Sequence, residues 1–152
     1  MSATLGQDVE QQVRDGLFAL LDTHAGIATI TGRNDGNVGM PGASAMLDLP
    51  CVMVLVRDVR PIGGVGRNFE VALTFACYAG LEDDGGDQLA RTLRDAVLDV
   101  LDAAGPLDAV GLDAVIRPGT LFPRPTITER TPTEHTARAD LWATLWLTLT
   151  TL

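Results

Sequence analysis

The chain has 152 residues, 46% of them apolar and 20% charged, enough for one domain to bury a core without disulfide or metal staples. Its 20 acidic and 11 basic residues leave a net charge of −9, a surface that repels nucleic-acid phosphate and argues against wrapping DNA, though DNA can pass such a wall without sticking. No apolar run approaches the roughly 18 residues of a membrane helix, and the polar N-terminus is not a secretory signal, so the expectation is a soluble protein of a reducing cytoplasm.

The spacing of Val9, Val13, Leu17, Leu20 and Leu21 predicts a helix over residues 7–23. Gly16 inside it either weakens the helix or permits a close approach. Residues 27–49 hold Gly32, Gly36, Gly39, Pro41 and Gly42, which predicts a long surface loop, most open over 33–49, with room for a short strand near 27–31. Cys51-Val-Met-Val-Leu-Val56, opened by Pro50, reads as a buried strand. Phe69 to Cys77 alternate in a second, and Pro61 with Gly63, Gly64 and Gly66 forms the turn that joins the two as a hairpin.

Asp87 is the expected N-cap of the next helix, whose apolar face is Leu89, Leu93, Ala96, Val97, Val100, Leu101 and Ala104. Gly105-Pro106 ends it. Val110–Arg117 reads as a third main strand. Residues 118–135 contain Pro118, Pro123, Pro125 and Pro132, which predicts an extended arm or an irregular hairpin rather than a central strand. From Arg138 onward the residues alternate: Leu141, Ala143, Leu145 and Leu147 on one face, Trp142, Thr144, Trp146 and Thr148 on the other. The fold expected is α+β, a single domain with a mostly antiparallel or mixed four-stranded sheet, two main helices packed on it, and the order α-β-β-α-β-β.

Three places invite a chemical reading, and each has a plainer one. Glu82, Asp83, Asp84 and Asp87 lack the spacing of a calcium loop, and acids ahead of a helix are favoured by its dipole. Gly63-Gly-Val-Gly66 joins two strands rather than a strand and a helix, and carries no Lys, so it reads as a turn rather than a phosphate cradle. His24 ends a helix and His135 sits in the Pro/Thr-rich arm, with no nucleophile elbow or HExxH nearby. The expectation is no catalytic residue, no metal and no cofactor. Cys51 and Cys77 lie in apolar strand-like runs without ligand spacing, which predicts buried free thiols. For Trp142 and Trp146 two environments compete: core packing against a helix, or an aromatic contact with another subunit.

The element order, with Phe75 to Ala79, Gln88 to Leu101 and Arg138 to Trp142, resembles the tail terminator (tail completion) proteins of long-tailed bacteriophages over nearly the whole chain. The resemblance implies a structural virion protein, not an enzyme. Such a protein is assembled in the host cytoplasm and placed at the head–tail junction as a hexameric ring. It would cap the tail tube of major tail protein, stop its polymerisation and join it to the head connector or stopper, while DNA passes through the lumen without sequence-specific binding or membrane contact. A head-side connector or minor tail protein is the alternative within that class; a small-ligand-binding α/β regulatory module is the alternative outside it, and a metal-dependent enzyme comes third. The loop over 33–49 and the arm over 118–135 are the expected contact elements. The candidate interface residues are Arg33, Asn34, Asp35, Met40, Pro41, Phe122, Arg124, Arg130, Trp142 and Trp146.

Overall fold

Long alternating strands and two amphipathic helices dominate the computed structural model, which describes residues 9–22, 24, 26–27, 38–39, 50–62, 68–80, 86–107, 112–130 and 135–148. The elements are α1 (Val9–Asp22), β1 (Val38–Gly39), β2 (Cys51–Ile62), β3 (Asn68–Gly80), α2 (Gly86–Ala103), β4 (Ala114–Ile116), β5 (Phe122–Pro123), β6 (Ile127–Arg130) and β7 (His135–Thr148). The fold is α+β, and its main elements follow the expected order α-β-β-α-β-β.

One sheet runs β1-β2-β3-β7-β4, with β5 and β6 also paired to β7. β2, β3 and β7 are antiparallel, and β7 pairs with β3 from Thr136 to Thr148. On its other edge β7 meets β6, β5 and β4 in turn, so three short segments act as one broken strand. Among the described residues the helices cover one face only. Val13, Leu17 and Leu21 of α1 and Leu93, Val97 and Leu101 of α2 share a core with Val54, Leu73, Phe75, Leu141 and Leu145. Ala79, Ala90, Ala137 and Ala139 form a second buried cluster, where small side chains bring α2 close to β3 and β7.

Gly16 is explained by that packing. A Cβ on it would lie 2.5 Å from Cδ1 and 2.7 Å from Cγ of Leu112, which is itself buried. The glycine lets α1 close on Leu112. Leu107 donates its N–H to Ala114 (2.9 Å) and Leu112 donates to Leu107 (3.1 Å), so the chain turns inward before β4 begins. Of the strand expected over 110–117, the described residues 112–117 hold Ala114–Ile116 alone.

Other boundaries shift for equally local reasons. β2 continues six residues beyond its apolar run because Asp58 to Ile62 still pair with β3 past a bulge at Val56/Asp58. Pro61 fits there because β1 covers β2 only at Val52 and Met53, leaving that side of the strand an edge among the described residues. β1 itself is a parallel bridge inside the stretch expected to be loop. Ile27 is buried in a helical turn, not a strand; the rest of 27–31 lies outside the described residues, as do Gly63, Gly64 and Gly66 of the expected turn. α2 starts at Gly86, one residue before the expected cap, and Asp87 sits in its first turn paired with Arg91. Gly105 ends α2 with φ 59°.

The Pro-rich segment takes the irregular-hairpin form. Arg117-Pro118-Gly119-Thr120 is a turn with Pro at its second position and Gly119 at φ 77° in its third. Thr120 donates its N–H to the Arg117 carbonyl at 3.3 Å. Its hydroxyl also accepts the Thr144 N–H at 3.2 Å, standing in for the backbone partner that the turn takes away from β7.

Candidate functional site

The face of the sheet opposite the helices is the candidate site. Residues directly across from one another in a ladder share a face, so the register assigns Tyr78, Ala76, Thr74, Ala72 and Glu70 of β3 and Arg138, Asp140, Trp142, Thr144 and Trp146 of β7 to this outer face. Trp142 and Trp146 therefore pack against no helix among the described residues. The same register brings Ile62, Val115, Phe122 and Ile127 to the outer face. Together with Trp146 these are all of the exposed large hydrophobic side chains among the described residues, from 37% exposed at Val115 to 55% at Phe122. An apolar set that shares one face in this way makes that face the candidate for a contact surface.

Arginine is interleaved with those side chains. The Trp142 ring is approached by two guanidinium groups, Arg57 at 4.1 Å and Arg124 at 4.5 Å from its centroid. Arg124 also stands 5.8 Å from Phe122, Arg117 5.7 Å from Trp146 and Arg138 5.6 Å from Tyr78. Each contact draws on the negative π face of the ring, and together they hold the guanidinium groups over the sheet. The bulge places Arg57, whose Nη2 donates to the Leu73 carbonyl at 3.0 Å.

The charges divide into two groups. Glu70 bridges Arg60 and Arg117, its oxygen 2.7 Å from Arg117, and Arg138 meets Asp140 at 2.7 Å. The hydrogen bond from Arg60 leads in holding the Glu70 carboxyl below its ordinary value. Arg57 and Arg124 have no carboxylate partner among the described residues; Asp58 follows Arg57 in the chain without bonding it. Beneath them, Thr74 is buried with its hydroxyl unpartnered.

At the Ile62 end of the face, a groove of about 510 Å³ opens between the β2–β3 hairpin and β4, with Ile62, Phe69, Val115 and Trp146 in its walls. Its lining is mostly apolar, and its one acid is Asp113. No group of three or more His, Cys, Asp or Glu fit for a metal occurs among the described residues. His24 is exposed at the end of α1 and its Nδ1 accepts the Gly26 N–H at 3.1 Å. Glu82, Asp83 and Asp84 lie outside the described residues, and His135 opens β7 rather than lying in an arm. Cys51 and Cys77 are both free and buried. The register sets Cys51 beside Tyr78 on the outer face and Cys77 beside Val52 on the inner one, so they point apart.

Of the expected interface residues, Phe122, Arg124, Trp142 and Trp146 come together on this face. Arg130 ends β6 on the same edge of the sheet. Arg33, Asn34, Asp35, Met40 and Pro41 lie outside the described residues. Arg57, Arg117 and Arg138 were not among the expected residues. An Arg on β2, on β7 or just past β4 and β5 that faces a ring on another strand is visible only once the register is known.

A solved chain from the virion of a native gene transfer agent particle aligns over 90% of this chain and 93% of its own, with a TM-score of 0.58 at 14% identity. The two share a fold. A second solved chain aligns over 92% of this chain and 96% of its own, with a TM-score of 0.53 and 14% identity. No protein-family model matches the sequence, and no curated protein does.

Proposed function

We propose that this chain is a structural virion protein of the tail-terminator type: a ring that caps a tail tube, stops its growth and presents a surface to the head connector, with DNA passing through the lumen. The observation that carries the reading is the fold shared, over nearly the full length of both chains, with a component of a gene transfer agent virion. The aromatic and arginine-rich sheet face supports it, since a closed ring needs surfaces that join one copy to the next. Phe122, Arg124, Trp142 and Trp146 are the proposed contact residues on this face. In this role the protein catalyses nothing and carries no cofactor; its partners are further copies of itself, the tube protein and the connector. The test is to add the purified protein to polymerising tube protein from the same particle. Tubes of halted length are expected; tubes that grow as before would exclude a terminator and favour a head-side connector.

A further inference from the structure

We infer that the Arg57–Trp142–Arg124 stack docks onto the aspartate-bearing C-terminal half of α2 in a second copy of the chain. The inference rests on the ring reading above and names the surfaces that join.

Three observations carry it. First, a chain of net charge −9 holds two guanidinium groups on one indole with no carboxylate for either among the described residues. Both groups are exposed, and among the described residues only the field of Asp58 acts on one of them, so a carboxylate from outside gains charge-assisted contacts there. Second, carboxylates stand on the helix layer, which packs on the other face of the sheet; Asp95 lies nearest the arginine patch, since Arg94, its partner, also donates to the Arg124 carbonyl at 2.9 Å. Asp95, Asp99 and Asp102 are exposed on α2, which has no basic residue in its last turn. Acids there oppose the helix dipole, which favours cations at a C-terminus, so the helix itself gains nothing from them. Asp99 and Asp102 have no ion pair among the described residues; Asp95 meets only its neighbour Arg94. Third, the two patches match in scale. Asp95 to Asp102 spans about 10 Å of axis at roughly 1.5 Å per residue. The two guanidinium groups stand 4.1 and 4.5 Å from one ring centroid, so they lie within a comparable span of each other.

The geometry also selects the mode of joining. An isologous dimer built on the arginine face alone would place arginine against arginine. Complementary patches on opposite sides of one domain join head to tail, the arrangement that closes into rings. Desolvated Arg–carboxylate contacts would then supply specificity and register, over the apolar contact of the Phe122 side chain.

The test uses two full-length charge reversals, R57E/R124E and D99R/D102R, and sedimentation velocity of each alone and of an equimolar mixture. All four positions are exposed, and circular dichroism checks that both variants fold. Each variant alone should repel itself and associate at least about a hundredfold more weakly than the parent chain. In the mixture every interface of an alternating ring pairs opposite charges, so assembly should return. Either variant assembling like the parent, or a folded mixture that stays dispersed, overturns the docking while leaving the ring reading intact. A parent chain that is dispersed at every concentration and on tube ends overturns both. Loss of duplex DNA binding in R57E/R124E with assembly unchanged also overturns the docking, and would give the two arginines to nucleic acid.

Discussion

Gly16 shows how one missing methyl group sets the spacing of two layers. Ala there would gain about 1 kcal/mol in helix propensity but would have to push Leu112 aside, and overpacking of this kind costs about 1–3 kcal/mol. Gly16→Val removes most of the propensity gain and adds bulk, so a destabilisation of about 2 kcal/mol is expected in urea denaturation; an unchanged midpoint would mean that Leu112 yields freely. Thr74 gives the opposite sign. Its buried hydroxyl has no partner, so Thr74→Val is expected to be neutral or to stabilise by up to about 1 kcal/mol. A loss beyond 1 kcal/mol on the same assay would show that the hydroxyl is bonded after all.

The two thiols behave as core groups. Burial pushes Cys51 up to about 11 from an ordinary 9.0 and raises Cys77 further. A folded-state value above the unfolded one means that their contribution to stability is intact below pH 9 and is lost as pH rises above it. At pH 8 neither should react with a thiol reagent in the native protein, and both should react in urea. Rapid native labelling of Cys77 would contradict its position on the inner face.

Among the elements, the broken edge β4–β5–β6 departs most from what an ideal strand would do. Thr120 holds it together by giving β7 a side-chain oxygen where the turn removes a backbone one. Thr120→Val should cost about 1–2 kcal/mol, because the half-buried Thr144 N–H is left unpaired, and hydrogen exchange at Thr144 should speed up. Unchanged exchange there would show that water replaces the hydroxyl. The main helices and long strands were legible in the sequence because their apolar residues recur at clear periods: Val13, Leu17 and Leu21 in α1, Leu141 to Leu147 in β7. Where tertiary contacts decide, the reading failed. Leu112 looked like a strand residue because nothing local reveals that Gly16 opens a slot for it. Pro61 looked like part of the turn, and the polar residues before it carried no strand signal, because their pairing is with β3 rather than with any apolar partner.

At the scale of the whole molecule, one face of the sheet is sealed by helices and the other carries aromatic side chains and arginines. The sequence placed Trp142 and Trp146 together on one side of a strand but left two environments open for them. Only the register, which adds Arg57, Phe122 and Arg124 to the same spot, turns that stripe into a surface. The helices carry seven acidic residues against three arginines, so the molecule has two electrically distinct sides, as a subunit that joins head to tail requires. The most direct test of the proposed function is electron microscopy of the purified protein mixed with tail tubes. The account predicts closed rings of sixfold symmetry seated on tube ends. Bare tube ends beside dispersed single copies of the chain would contradict it.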